Sequence, residues 1–287
     1  MNSAKLWLLY TIITTIFWGV WGAFIEIPEK AGFPATLGYS VWALTMVPCA
    51  LVALHIAKWK LNADGRSIFL GCLIGLTGSG GQLLLFQALR SGPAYIVFPL
   101  ISLFPILTIF LSTVFLKERG TTRQWVGIAV ALVAIAFLSY QPATGNEEHN
   151  YNWLLLSILV FILWGLQAYV MKFSNYTMSA ESIFFYMMIT AVLLIPVAIL
   201  MTDFSNPINT TFKGPYLAAM IHILNAIGAL TLVYALRYGK AMVVVPITGL
   251  SPLITVAISL VLYRVVPGPI LGTGVVLAMA GIYLLSE

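Results

Sequence analysis

Three polar side chains interrupt the middle of long apolar stretches: Gln82, His222 and Asn225. Each can donate and accept hydrogen bonds, and leaving such a group unpaired in hydrocarbon costs several kcal/mol. They should therefore face either a polar cavity that binds a small molecule or a neighbouring helix. Both interpretations stay open for Gln82 and Asn225. An ionisable residue inside an apolar helix favours the cavity, so we predict that His222 lies there.

Aromatic and amide side chains recur at related places in the two halves of the chain. Trp18 and Trp164 form a matched pair, whereas Trp21 stands where the second half has Gln167. A lining of rings and amides suits a small neutral or zwitterionic molecule held by stacking and a few hydrogen bonds. Tryptophans near the ends of apolar stretches are instead typical of membrane-interface anchors. The predicted substrate-binding set is Trp18, Trp21, Gln82, Gln87, Trp164, Gln167, His222, Asn225 and Tyr234.

Two proline pairs sit at matching places, Pro99 with Pro105 and Pro246 with Pro252. Proline lacks a backbone donor and clashes with the preceding turn, so each pair should kink or loosen its helix. Broken helices at corresponding positions of two halves indicate the central site of a transporter. A packing kink without function is the alternative, because membrane helices tolerate proline.

All nine carboxylates lie at the ends of apolar stretches or between them. Proton-coupled carriers commonly place an ionisable group along the pathway. The candidates here are His222 and, less strongly, Glu26, and transport without a coupling ion is also open. The sequence has no Walker loop, no paired-histidine metal motif and no nucleophile elbow, so we predict no enzyme, no metal and no cofactor.

The composition indicates a membrane protein. Of 287 residues, 61% are hydrophobic and 8% charged, with a mean hydropathy of +0.99. The apolar runs approach the roughly 20 residues that a membrane helix needs, and they lack the strict alternation of barrel strands. We predict an all-α membrane protein with ten transmembrane helices. The spans lie near 6–25, 36–57, 67–89, 94–116, 124–140, 152–171, 182–202, 214–236, 241–263 and 268–285.

The second half of the chain repeats the first. Trp18-Gly19 returns as Trp164-Gly165 after 146 residues, and Ala88-Leu89-Arg90 returns as Ala235-Leu236-Arg237 after 147. Five spans per half is an odd number, so the two copies must cross the bilayer in opposite orientations. Inverted repeats of this kind are a recurring architecture of secondary transporters. We divide the chain into repeats at 1–140 and 152–287, joined by a polar linker at 141–151.

Lysine and arginine predict the orientation, because they are retained on the cytoplasmic side. Placing both termini in the cytoplasm puts ten of the fourteen basic residues inside and makes the 141–151 linker external. The net charge of +5 is then a topological signal, and no nucleic-acid partner is expected. The four basic residues left outside are Lys30, Arg90, Lys213 and Arg264.

This order of motifs resembles the drug/metabolite transporter superfamily, specifically its EamA-type members. The resemblance covers nearly the whole chain and implies an alternating-access carrier with a central cavity, around which spans five and ten lie peripherally. The chain departs from a strict repeat at Leu116-Lys117-Glu118, whose counterpart is Tyr263-Arg264-Val265. The second half therefore lacks the glutamate, and any role that the resemblance implies for it can hold only in the first half.

We therefore predict a secondary transporter that moves a small neutral or zwitterionic metabolite, amino-acid-like or similar, by alternating access. A non-transporting membrane sensor or assembly protein of the same fold is the alternative. The expected partners are the substrate and the lipid bilayer, with a proton or no ion for coupling, and a homodimer is left open. The expected location is a bacterial inner (plasma) membrane.

Overall fold

The computed structural model describes residues 3–92, 94–140, 151–263 and 268–286. Within these ranges the chain is helical and has no strand, which confirms the predicted all-α class. Nine helical stretches are long and apolar enough to cross a membrane, and a shorter apolar helix of 17 residues matches predicted span five. The helices are α1 Ser3–Phe24, α2 Glu26–Lys30, α3 Ala35–Ile56, α4 Gly65–Ser91, α5 Ala94–Ser102, α6 Pro105–Phe115, α7 Thr122–Leu138, α8 Asn152–Ser174, α9 Ala180–Leu193, α10 Ile195–Leu200, α11 Leu217–Tyr238, α12 Ala241–Thr248, α13 Pro252–Tyr263 and α14 Pro269–Ser286.

Spans four and nine are each divided into two helices at corresponding places. Span four breaks between α5 and α6, and span nine between α12 and α13. Pro105 and Pro252 begin the second helices, where a missing N–H is not needed. Pro99 and Pro246 lie inside the first helices. Span seven also breaks, between α9 and α10, where Pro196 lies in the first turn of α10. This third break was not predicted.

Helices of one half pack mainly on helices of the other. The closest pairs are α4 with α8 and α9, α11 with α1 and α3, and α7 with α14. α1 and α4 end at one face of the bundle, which we call the Glu26 face. α8 and α11 end at the opposite face, which we call the Lys172 face. The linker predicted at 141–151 falls almost entirely outside the described residues, so the division into two repeats stays a prediction, as does the cytoplasmic location of both termini.

The repeated tryptophans join the halves at two equivalent helix crossings. The Trp18 Nε1–H donates to the Asn225 carbonyl at 3.3 Å, and the Trp164 Nε1–H donates to the Gly78 carbonyl at 3.3 Å. A Cβ at Gly228 would lie 2.5 Å from the Trp18 ring, and one at Gly81 would lie 2.6 Å from Trp164. Each indole therefore needs a glycine on the facing helix.

The glycine that follows each tryptophan makes a second equivalent contact. The Gly19 carbonyl accepts from the Thr255 hydroxyl at 2.9 Å, and the Gly165 carbonyl accepts from the Thr108 hydroxyl at 2.9 Å. Thr108 and Thr255 each stand three residues after the proline that restarts the broken helix. The repeated Trp-Gly motif thus ties a broken helix and a continuous helix to the same point of α1 or α8.

Candidate substrate cavity

A cavity of about 470 Å³ lies among α1, α2, α3, α4, α5 and α11 at the Glu26 face. It reaches Asn225, eight residues into α11 and about 12 Å from the start of that helix. The cavity therefore runs from the helix ends toward the middle of the bundle. Its ring-bearing and polar lining residues are Trp21, Glu26, Glu29, Phe33, Thr36, Tyr39, Trp42, Gln82, Phe86, Arg90, Phe98, His222 and Asn225.

His222 lies at the inner part of the cavity and is held by an indole. The Trp21 Nε1–H donates to His222 Nδ1 at 3.1 Å, and the histidine is only 6% exposed. Indole nitrogen can only donate, so Nδ1 must be unprotonated and the proton of the neutral ring sits on Nε2. That Nε2 points toward Gly38, where a Cβ would come within 3.3 Å. A side chain at position 38 would therefore crowd the imidazole.

Asn225 is held in the same way from α3. The Trp42 Nε1–H donates to Asn225 Oδ1 at 2.9 Å. Trp42 packs edge-on against Tyr39, with ring centroids 5.3 Å apart, and the Tyr39 hydroxyl donates to the Ala191 carbonyl at 3.0 Å. A chain of contacts from α9 through α3 to α11 therefore fixes the Asn225 amide.

The outer part of the cavity is charged. Glu26 and Glu29 line it from α2, and Arg90 lines it from the end of α4. Glu26 accepts from Lys30 at 2.5 Å, and the Arg90 guanidinium donates to the Met201 carbonyl after α10. The cavity thus has two carboxylates at its mouth and neutral polar groups at its inner end.

Five of the predicted residues line this cavity, and five do not. Trp21, Gln82, His222, Asn225 and the coupling candidate Glu26 are brought together. The residues that lie elsewhere are Trp18, Gln87, Trp164, Gln167 and Tyr234.

The residues outside the cavity have other surroundings. Trp18 and Trp164 occupy the helix crossings described above, and Gln87 is exposed on α4. Gln167 fills the space over Gly78, where a Cβ would lie 2.1 Å from its Nε2. The Tyr234 hydroxyl donates to Glu181 at 2.6 Å, and its ring stacks on Tyr10. These five side chains fill helix contacts or the outer surface.

Sequence reasoning missed Tyr39, Trp42, Glu29 and Arg90. Trp42 carried a usable signal, because 146 or 147 residues later the chain has Met188 and Ile189. Trp42 is thus an aromatic residue whose counterpart in the other half is not aromatic, as is also true of Trp21. Arg90 gave no such signal, because the second half has an arginine, Arg237, at the corresponding position.

At the opposite face, hydrogen bonds join the helix ends. The Lys172 ammonium, only 7% exposed, donates to the Leu236 carbonyl at 2.9 Å and the Gly239 carbonyl at 2.6 Å. Both oxygens of Glu118 accept backbone N–H groups of α12, from Ala241 and Met242, at 2.9 Å each. These contacts join α8 to the end of α11, and the segment after α6 to the start of α12, at the Lys172 face. They also give the unmatched Glu118 a definite place, at the start of α12.

Among the described residues no group of three or more His, Cys, Asp or Glu side chains is arranged to hold a metal ion. Cys49 and Cys72 are free thiols, the first buried and the second half-buried. Rings, amides and carboxylates converge in the cavity.

Two relatives with similar sequences are named as membrane transport proteins. A probable terminal-alkyne amino-acid exporter of Streptantibioticus cattleyicolor is 28% identical over 294 residues, covering 99% of this chain and 94% of the relative. A probable 4-amino-4-deoxy-L-arabinose-phosphoundecaprenol flippase subunit of Hamiltonella defensa is 33% identical over 82 residues, 28% of this chain and 73% of the relative. A solved crystal structure shares the fold with a TM-score of 0.76 at 16% identity, over 96% of this chain and 97% of the other.

The family match covers both halves of the chain. Residues 5–140 match the EamA-like transporter family, and residues 151–287 match it again. With its apolar helical spans, the chain is a multi-pass integral membrane protein. The chain belongs to the EamA-like transporter family, within the drug/metabolite transporter superfamily that its motifs resemble.

Proposed function

We propose that this protein is a secondary transporter that moves a small zwitterionic or neutral metabolite, amino-acid-like in size and polarity, by alternating access. The observation that carries the proposal is a cavity at the Glu26 face opposite helix ends that hydrogen bonds join at the Lys172 face. We interpret the Lys172 face as the closed side of the bundle. A carrier must expose its site to one side of the membrane at a time, and inverted repeats supply two related closures for this.

The broken helices support the same mechanism. α5 ends and α6 begins beside the contacts that α8 makes through Gly165, and α12 and α13 meet α1 in the equivalent way through Gly19. A helix interrupted at proline can bend at that point with little loss of hydrogen bonding. Each half therefore has a bendable element tied to a continuous one.

The cavity lining supports the substrate class. Rings from Trp21, Trp42 and Phe86 offer apolar and π surface, while Gln82 and Asn225 offer amides. The Gln82 amide has no hydrogen-bond partner among the described residues, so it is available to a ligand. The carboxylates of Glu26 and Glu29 suit an amine at the mouth. The Streptantibioticus relative, named as an amino-acid exporter, points to the same class.

Location and coupling complete the proposal. The bacterial relatives support an inner (plasma) membrane. The distribution of lysine and arginine favours both termini in the cytoplasm, which puts the Glu26 face outside. Coupling to a proton would use His222 or Glu26, which both line the cavity. Transport that is unchanged by an imposed pH gradient would exclude proton coupling and leave uniport.

The test is uptake into liposomes that hold the purified protein, with amino acids, amines, sugars and nucleosides as a labelled panel. We expect one class to enter, and we expect Gln82→Leu to reduce its uptake about tenfold or more through loss of a cavity hydrogen bond. Gln87→Leu changes the same residue type five positions later on the same helix, outside the cavity, and should leave uptake unchanged. Folded protein that moves no member of the panel would contradict the proposal and favour the sensor or assembly alternative.

A further inference from the structure

Two side chains at the inner end of the cavity, His222 and Asn225, are each held by an indole, beside the Gln82 amide. Trp21 and Trp42 use their N–H groups on His222 Nδ1 and Asn225 Oδ1. Those two bonds occupy the acceptor nitrogen of the imidazole and one of the two lone pairs of the amide oxygen. The groups with hydrogen that remain on these two side chains are the His222 Nε2–H and the Asn225 NH₂ group, and both are donors.

The orientation of the Asn225 amide follows from chemistry. An indole N–H cannot accept a hydrogen bond, so the atom of Asn225 that faces Trp42 at 2.9 Å must be oxygen. Tyr39 supports the Trp42 ring at 5.3 Å and is itself tied to the Ala191 carbonyl. The NH₂ group, which has no partner among the described residues, is therefore held at the cavity wall before any ligand arrives.

We infer that Asn225, oriented by Trp42, selects a substrate carboxylate at the inner end of the cavity. The inference rests on the proposed function and names the end of the substrate that lies against α11. A carboxylate offers only acceptors, which match the fixed amide donors. At the other end, beside Arg90, Glu29 and Glu26, which also pairs with Lys30, offer carboxylates to an ammonium group. The two ends together fit an amino acid with its carboxylate inward and its amine at the mouth.

The fixed orientation of the Asn225 amide means that one substitution can test the inference directly. Asn225→Asp keeps an oxygen for the Trp42 indole but replaces the NH₂ donors with a second, negatively charged oxygen. A substrate carboxylate would then meet like charge, while an amine without a carboxylate would meet an attractive one. The preference between the two ligands should invert, whereas Asn225→Ala should only weaken it.

The experiment measures binding by thermal shift in detergent and counterflow in liposomes with two matched pairs: leucine with isopentylamine, and phenylalanine with phenethylamine. In the native protein we expect the amino acid of a pair to bind at least about tenfold more tightly than its amine, as hydrogen bonds to a charged group permit. Asn225→Asp should bind the amine more tightly.

Trp42→Phe should reduce the native preference several-fold, because the amide is then free to rotate. Trp125→Phe, on exposed α7 surface, is the matched control and should change nothing.

Three outcomes would overturn the inference. Equal binding of amine and amino acid by the native protein would show that no carboxylate is selected. An unchanged preference in Asn225→Asp would move the selecting group elsewhere. Transport of a sugar or nucleoside in place of either pair would leave the proposed transporter function standing and reject the carboxylate. If nothing at all is transported by folded protein, the proposed function itself fails.

Discussion

At the Glu26 face, α1, α3 and α11 leave a cavity between their ends, whereas at the Lys172 face the corresponding helices α8, α9 and α4 are packed together. The backbones are related by the repeat, so the difference lies in side chains. On α11, His222 and Asn225 project toward Trp21 and Trp42. The related positions of α4 are Gly75 and Gly78.

Those two glycines explain how the Lys172 face closes. A Cβ at Gly75 would lie 2.6 Å from the Thr190 Cβ, and one at Gly78 would lie 2.1 Å from Gln167. Side chains of α9 and α8 therefore fill the space over these glycines, where α11 has His222 and Asn225 in their place. Small residues favour such contacts between membrane helices. The comparison teaches that local loss of symmetry, and not a different fold, decides which half holds the cavity.

The largest expected effect comes from the glycines under the paired tryptophans, which the two halves share. Gly81→Ala and Gly228→Ala each place a methyl group within 2.6 Å of an indole, so we expect a loss of stability of about 1–3 kcal/mol by overpacking. Gly80→Ala is the matched control, because its Cβ meets nothing closer than 3.8 Å. Detergent melting curves measure all three. A lowered melting temperature for only one of Gly81 and Gly228 would show that the crossings are not equivalent.

Lys172→Met should weaken the seal without touching the cavity. The substitution removes the ammonium that donates to two carbonyls at the end of α11. A hydrogen bond to a charged group contributes about 1.5–3 kcal/mol. Losing it should therefore reduce the population of the closed state about tenfold or more. The readout is maleimide labelling of Ser174→Cys, a buried site near this face, in a background with Cys49 and Cys72 replaced by alanine. Lys213→Met, in the short π-helical turn Phe212–Tyr216 before α11, is the control. Labelling that does not increase would mean that Lys172 is not part of the closure.

Glu118→Ala should have a smaller effect at the same face. The carboxylate accepts the first N–H groups of α12, and losing such a helix cap costs about 0.5–2 kcal/mol. Glu118→Gln retains one acceptor oxygen and should recover part of the loss. The same labelling assay measures both variants. Equal behaviour of the alanine and glutamine variants would assign the effect to charge alone.

The smallest effects should be equal in the two halves. Thr108→Val and Thr255→Val each remove one hydroxyl bond to a Trp-Gly carbonyl at 2.9 Å, for about 0.6 kcal/mol between membrane helices. Their melting temperatures should fall by the same small amount. A larger fall for Thr255 would indicate that the bend in span nine matters more for stability than the bend in span four.

The sequence alone predicted the membrane class, the spans, the repeat and the two broken helices. Length and hydropathy determine which segments can cross a bilayer, and proline has the same local effect in any context. It also marked His222, Asn225, Gln82 and Trp21, because unmatched polar or aromatic residues stand out against a repeat. It did not indicate Trp42 as the partner of Asn225, although Trp42 also lacks a counterpart.

Only the tertiary structure decided which of the nine marked side chains surround the cavity. Helical periodicity shows which residues share a face, but it does not show which neighbouring helix covers that face or how closely. Trp18 and Trp164 occupy matching positions, and each has an indole N–H group. Both N–H groups donate to backbone carbonyls of the facing helices. Gln167 meets a glycine and fills the gap, whereas Trp21 meets a histidine and borders a cavity. The distance between helices, set by the residues on both sides of each crossing, made that distinction.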